Sequence, residues 1–341
     1  MKSLFELREL FKKRGIPQFR ANQIYQALFK SAKNNYADIH VLPKDLTEFL
    51  EKEAPIYTLK PLIKNQNKDG TTIKALFELR DGEKIEAVLM KFEDKRNSVC
   101  VSCQAGCPMK CVFCATGKMG FRRNLTYEEI VDQALYFEQE LLTKGERVNH
   151  IVFMGMGEPF LNYDEVIKAA KMFNDPAGFN ISFRHITVST SGIIPGIKQM
   201  INDIPQANLA VSLHAPNDKL RKKLMPVAKT YLMNELMETC KEYTHKTHRR
   251  ITYEYVMLKD INDSDKCAHE LSSLLRGQLC HVNLIPFNET YSKGIKASVK
   301  NRIDSFAHIL KINGIPATIR VSMGKEINAA CGQLAGKNKS K

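Results

Sequence analysis

The chain has 341 residues, 43% of them hydrophobic and 26% charged, a balance that excludes a disordered or fibrous protein and suits two domains or one large domain with an appendage. No stretch approaches the ~20 apolar residues of a membrane helix, and Met1-Lys2-Ser3-Leu4-Phe5-Glu6 lacks the apolar core of an export signal, so a cytoplasmic protein is expected. Lysine plus arginine outnumber aspartate plus glutamate 51 to 37, a formal charge of +14 that points to a polyanionic partner and away from a membrane surface, because no basic amphipathic helix stands out.

Residues 1–54 read as a small helical unit. Ser3 and Glu6 form a capping-box pattern ahead of Leu4, Phe5, Leu7, Leu10 and Phe11; a second amphipathic run (Ile24, Tyr25, Leu28, Phe29) follows Arg20, and a third (Leu46 to Leu50) follows Pro43. Residues 55–92 change to a period of two, and the segments 72–77 and 84–90 flank Asp81-Gly82, the signal of a β-hairpin. A boundary near 93 would leave a core domain over 93–336 and a basic tail over 337–341.

Strands and helices then alternate. Strands are predicted over 98–102, 149–154, 185–189, 208–213, 251–257, 280–285 and 316–321. The clearest helix follows Thr126, which pairs with Glu129 in a second capping box; others are predicted over 164–173, 232–244, 265–276 and 298–312. This rhythm implies parallel strands with right-handed crossovers, and its length favours a barrel or partial barrel over a small doubly wound sheet. Polar or reactive residues recur at the carboxyl ends of six of the strands: the cysteine cluster, Gly155 to Glu158, Ser189, Ser212 to His214, Asn288 and Cys331. In a parallel barrel those ends share the face where active sites lie.

Five of the nine cysteines (Cys100, Cys103, Cys107, Cys111, Cys114) fall within fifteen residues. Cys107-x3-Cys111-x2-Cys114 can converge on a soft metal centre, zinc or an iron–sulfur cluster. A zinc set of Cys100, Cys103, Cys111 and Cys114 can be drawn, but its pairs are closer together than paired zinc knuckles usually are. Three thiolates would instead leave one iron of a 4Fe-4S cluster open, and the spacing is similar to the motif of the radical S-adenosylmethionine superfamily. Gly155-Met156-Gly157-Glu158-Pro159 resembles that superfamily's glycine-rich motif.

Together with Cys100-Val-Ser-Cys-Gln-Ala-Gly-Cys107, Ser189-Thr190-Ser191-Gly192, Ser212-Leu213-His214-Ala215-Pro216-Asn217-Asp218 and Ala330-Cys331-Gly332-Gln333-Leu334-Ala335-Gly336, these motifs resemble the RlmN family, dual-specificity RNA adenine-C2 methyltransferases, over nearly the whole chain. The resemblance implies an α/β fold, a partial (β/α)6 radical SAM barrel with an N-terminal helical RNA-binding domain and a β-hairpin extension. It implies one 4Fe-4S cluster on Cys107, Cys111 and Cys114, and two S-adenosylmethionine molecules per turnover. Contacts to the latter carry over to Gly157, Glu158, Ser189, Ser212, Leu213, His214 and Asn288.

Catalytic roles carry over to Cys331, which would be methylated and deliver the carbon unit, and to Cys100, which would release the product through a Cys100–Cys331 disulfide. Glu86 would remove the proton, although its spacing to Cys100 is one residue longer than the resemblance implies. Cys103 stands where a serine is expected. The implied partners are 23S rRNA at the peptidyl transferase centre, an anticodon-loop adenosine of tRNA and a flavodoxin-like electron donor, with no membrane and a monomeric chain. The Cfr family, which methylates carbon 8 and confers antibiotic resistance, is the alternative, and a zinc-dependent RNA-binding protein is a third reading. Gly120-Phe121-Arg122-Arg123, Leu220-Arg221-Lys222-Lys223, Lys246 to Arg250 and the basic C-terminal region are candidates to hold phosphate.

Overall fold

The computed structural model describes residues 1–288 and 294–336; the expected basic tail at 337–341 lies outside the described residues. Three helices open the chain: α1 (Leu4–Lys13), α2 (Phe19–Lys30) and α3 (Lys44–Glu53). The Ser3–Glu6 capping box forms, each side chain accepting from the other residue's N–H. Leu7 and Phe11 of α1 and Ile24, Tyr25 and Leu28 of α2 enter a hydrophobic core that runs on without a break into the rest of the molecule.

Strands β1 (Leu59–Gln66), β2 (Thr72–Leu79) and β3 (Lys84–Lys91) form an antiparallel meander. The hairpin around Asp81-Gly82 is as its residues predict. β1 was not expected, because Pro61 and a run of polar side chains break its pattern; it is an edge strand whose register slips between Pro61 and Ile63, where a missing N–H donor is tolerated. β3 pairs antiparallel with β4 (Asn97–Cys100), setting Val88 opposite Cys100, so the extension continues the main sheet.

A two-stranded ribbon, β5 (Gln104–Gly106) and β6 (Phe121–Asn124), brackets the cysteine loop and the short α4 (Ala115–Met119). The chain then runs α5 (Tyr127–Leu142), β7 (His150–Phe153), α6 (Tyr163–Asn174), β8 (Ile186–Thr190), α7 (Ile194–Asp203), β9 (Asn208–Ser212), α8 (Asp218–Leu224), α9 (Met233–Thr247), β10 (Ile251–Met257), α10 (Asp265–Leu275), β11 (Cys280–Pro286), α11 (Lys300–Ile312) and β12 (Ala317–Ile319). Strands β4, β7, β8, β9, β10, β11 and β12 are parallel and lie side by side in chain order, joined by six helical crossovers. The sheet does not close, since β1 and β12 are its two edges. This is the partial (β/α)6 barrel with a β extension. Helix α7 had no clear signal, because Ile194-Pro195-Gly196 reads as a break. Pro195 fits the first helical turn, and Gly196 lets Phe160 pack so closely that a Cβ would stand 2.4 Å from its ring.

Candidate active site

Beyond Cys100 the chain is laced to the loop after β7. The Val101 N–H donates to the Val152 carbonyl (3.0 Å), Gly155 N–H to Val101 (3.1 Å), and Cys103 and Gln104 N–H to Met156 (2.9 and 3.1 Å). Gly106, with φ of +75°, is where the ribbon closes on itself: a Cβ there would sit 1.9 Å from the Gly120 carbonyl oxygen. Cys107 N–H donates to that same carbonyl, at 3.0 Å. The loop that follows sets Cys107, Cys111 and Cys114 on the wall of one cavity of about 950 Å³. Burial pushes the Cys107 thiol up to about 12 and Cys111 well above the ordinary range, so thiolates there need a neighbouring cation. Three soft donors spread over a cavity wall suit a cluster, whose irons are bound one thiolate each. Among the described residues no three His, Cys, Asp or Glu side chains are grouped to hold a single ion.

Carboxyl ends of the parallel strands supply the opposite walls. Gly155 and Gly157 lie flat against the cysteine segment: a Cβ would meet the Val101 oxygen at 2.6 Å in the first case and the Gln104 side chain at 2.7 Å in the second. Glu158 is buried, and its carboxylate accepts from the Ser191 N–H (2.7 Å) and the Phe160 N–H (3.2 Å), while burial raises its pKa. Ser189, next to the last residue of β8, and Ser212, the last of β9, line the same cavity. His214, in a left-handed conformation (φ 57°), accepts from the Val256 N–H on Nδ1 (3.0 Å), which assigns its proton to Nε2. Burial and the charge of Arg221 push its pKa down to about 3, so the ring is a neutral donor. Leu213 does not join the site: its side chain is fully buried in the core and its N–H donates to the Glu254 carbonyl at 3.0 Å.

Cys331 lies on the wall shared with a second cavity of about 1750 Å³, and Cys100 lines that second cavity. Both are free thiols. Burial and the negative charge of Cys331 raise Cys100 to about 12, against the opposing pull of Arg320. The Cys331 loop is pinned on several sides. Asn288, which lines both cavities, donates to the Cys331 carbonyl (3.3 Å); Ala115 N–H donates to Gly332 (2.8 Å); the Thr116 hydroxyl donates to Leu334 (2.7 Å). Glu86 lines neither cavity. Its carboxylate pairs with Lys74 (2.8 Å) and accepts from the Ala335 and Gly336 N–H groups (2.7 and 3.1 Å), so in this conformation it clasps the loop that carries Cys331.

Residues 101–270 match the radical SAM superfamily. The chain is 45% identical over 336 residues to the ribosomal RNA large subunit methyltransferase N of Nitrosopumilus maritimus, covering 96% of this chain and 95% of that one. It is 46% identical over 337 residues to a probable dual-specificity RNA methyltransferase RlmN of Geobacillus kaustophilus, covering 99% and 92%. The chain belongs to the RlmN family. In structure it matches a radical SAM methyltransferase from Sphaerobacter thermophilus with a TM-score of 0.96 at 45% identity, over 98% of both chains. As a member of that family it is a radical SAM RNA methyltransferase.

The zinc set drawn from the sequence is not assembled, since Cys103 lines neither cavity and is buried in the core beneath the loop. That burial keeps Cys103, the cysteine that stands where a serine is expected, off both cavities of this RlmN-family protein. Two arginines proposed as phosphate contacts are otherwise engaged: Arg123 forks onto Glu129 (2.7 and 2.9 Å) and also pairs with Asp81, and Arg221 is fully buried. Lys222, Lys223 and Arg250 remain exposed. Sequence reasoning missed Arg320 and Glu254, which face each other at 3.8 Å on the cavity wall. A signal existed for each: Arg320 is the next-to-last residue of the seventh expected strand, and Glu254 is a carboxylate in a mostly apolar and aromatic strand. No helix among the described residues is long and apolar enough to cross a membrane.

Proposed function

We propose that the chain methylates carbon 2 of an adenosine at the peptidyl transferase centre of 23S rRNA, and of an anticodon-loop adenosine in tRNA. The observation that carries this reading is Cys331 on the wall common to two cavities, with cluster-type thiols lining one and Cys100 the other. Carbon 2 lies between two ring nitrogens and is not nucleophilic, so direct displacement on a methyl sulfonium fails and a radical route is needed. Cys107, Cys111 and Cys114 would hold a 4Fe-4S cluster, which with S-adenosylmethionine bound supplies the electron that breaks a sulfonium bond and yields the radical.

The remaining work falls to the chain. Gly155 and Gly157 admit the methionyl group to the backbone, and Glu158 offers its carboxylate to the ammonium. Ser189, Ser212, Asn288 and the Nε2–H of His214 present hydrogen-bonding groups to the nucleoside. Cys331 accepts a methyl group from a first S-adenosylmethionine by displacement, as thiolate, with the Arg320 cation on the same wall; a second molecule is cleaved. The radical takes a hydrogen atom from the Cys331 methyl group, and the carbon radical left behind adds to carbon 2. Once the carbon-2 proton and one electron, returned to the cluster, have left this adduct, the Cys100 thiolate attacks the Cys331 sulfur. A disulfide forms, the carbon–sulfur bond breaks, and its electron pair passes to the methylene carbon, which takes up a proton and becomes the methyl group. The disulfide must be reduced before the next turnover. Glu86, bound as it is, seats the Cys331 loop; to accept the carbon-2 proton it would have to leave Lys74 and two N–H groups.

A cytoplasmic monomer supplied with electrons by a flavodoxin-like protein completes the reading. Nucleoside mass spectrometry on rRNA and tRNA incubated with anaerobically reconstituted protein tests it. The expected product is 2-methyladenosine, absent with Cys331→Ala or Cys100→Ala. Formation of 8-methyladenosine would move the assignment to carbon 8, and methylation that survives loss of either thiol would overturn the mechanism.

A further inference from the structure

The largest fully buried side chain among the described residues is a charged one. Arg221 sits on α8 with none of its surface exposed. Its Nη2 donates to the carbonyls of Ser191 (2.5 Å) and Ser212 (3.3 Å), two residues that line the cavity holding the three cluster-type cysteines. Its Nε and Nη1 find no acceptor among the described residues. No carboxylate pairs with it among the described residues, although fifteen other side-chain ion pairs are present. A buried guanidinium with two idle donors and no counter-ion is strongly disfavoured unless a negative charge lies near.

The helix that carries it is joined to the cysteine loop. Val112 N–H donates to the Leu224 carbonyl at the end of α8 (3.1 Å), and Cys111, Val112, Phe113 and Leu220 all pack against the apolar cluster that contains Leu224. Burial lowers the Arg221 pKa to about 10, opposed first by Cys111 and then by Asp218 and Cys240. Gly192, with φ of +104°, leaves room for the guanidinium: a Cβ there would stand 3.0 Å from Nη2.

We propose that Arg221 is the buried counter-charge of the cluster site, a positioning residue whose fixed positive charge behind Cys111 makes the thiolate-bound cluster easier to reduce. The inference rests on the cluster reading above. A cluster with three thiolates gains one negative charge when it accepts an electron, and a nearby cation that water cannot screen stabilises the reduced form more than the oxidised one. Removing the cation therefore shifts the midpoint potential downward. A role confined to holding two carbonyls would not move it.

The test is an EPR-monitored dithionite titration of anaerobically reconstituted full-length protein with excess S-adenosylmethionine. It compares Arg221→Met, Arg221→Gln and Arg221→Lys with wild type and with Lys222→Met, which removes an equal charge from the exposed surface next door. At a fixed potential the reduced-to-oxidised ratio is expected to fall about tenfold in the two neutral variants, a shift of about 59 mV for one electron. Arg221→Lys and Lys222→Met are expected to stay at the wild-type value. Neutral variants that hold wild-type iron at the wild-type midpoint overturn the proposal. If the neutral variants do not fold, a Lys variant whose midpoint drops by the same tenfold overturns it instead, because its charge is retained. Wild-type protein that shows no cluster signal at all would defeat the cluster reading and not the placement of this charge.

Discussion

Glu86 is the residue whose role changes most between sequence and structure. As a glutamate in a β-strand it offers a proton acceptor near Cys100; its actual partners, Ala335 and Gly336, lie 249 and 250 positions away and could not be read from local pattern. The pair it forms with Lys74 is buried on both sides, with side chains 3% and 10% exposed. Glu86→Gln would leave Lys74 without a counter-charge and one amide oxygen to serve both Lys74 and the loop N–H groups, at a cost of about 3 kcal/mol. Urea denaturation should show that loss, and hydrogen exchange across 330–336 should quicken, because one carboxylate holds two of that segment's N–H groups. Exchange unchanged at those residues would mean that the clasp does not hold the Cys331 loop. Cys107, Cys111 and Cys114 line one cavity as their spacing suggests, whereas Cys331, far along the chain, was reached only through the family resemblance. Arg221 was misread as a surface phosphate contact because it stands in a basic run, where only the helix period separates a buried position from exposed Lys222 and Lys223.

At the scale of elements, the local signals that carry their own mechanism were the readable ones. Both capping boxes form, and the predicted parallel strands fall within two or three residues of the observed ones. Two of the misses, β1 and α7, hold a proline whose cost is absorbed by an edge or a first turn; the others, β5, β6, α4 and α8, are three to seven residues long, too short for a periodic signal. One contact joins two capped helices: the Tyr127 hydroxyl of α5 donates to the Glu6 carboxylate of α1, which also takes the Ser3 N–H. Burial alone would raise the Glu6 pKa, but these hydrogen bonds outweigh it and the net shift is downward. A carboxyl lowered on folding contributes stability that is full above its unfolded pKa of about 4.3 and is lost as pH falls through the lower folded value. Glu6→Gln should therefore be less stable than wild type by about 1 kcal/mol at neutral pH, a small figure because the side chain is partly solvated. The gap should hold between pH 6 and 8 and close below about pH 4. A gap that persists at pH 3 would assign the effect to packing.

Seen as a whole, the molecule is welded at a place where composition suggests a seam. The change of period near residue 93 invites a boundary, yet β3 and β4 pair across it from Val88–Cys100 to Lys91–Asn97, and the Ser102 hydroxyl donates to the Glu86 carbonyl at 2.6 Å. Asp132 in the middle of α5 draws the other end in, accepting from the Met1 ammonium and from the Thr58 N–H and hydroxyl. Cys100 thus sits on a strand flanked by the extension on one side and the parallel barrel on the other. Removing residues 1–93 would strip β4 of its antiparallel partner, expose a sheet edge beside the cysteine loop and free Asn328 from Lys74 and Ala335 and Gly336 from Glu86. A chain of 94–341 is expected to aggregate or to lack a cooperative thermal transition, and to hold less than wild-type iron after reconstitution. Size-exclusion chromatography and calorimetry would read this directly. A soluble, cooperatively melting fragment that binds the full complement of iron would show that the barrel holds its site without the strands joined to it, and that the continuity of the sheet serves the placement of Cys100 alone.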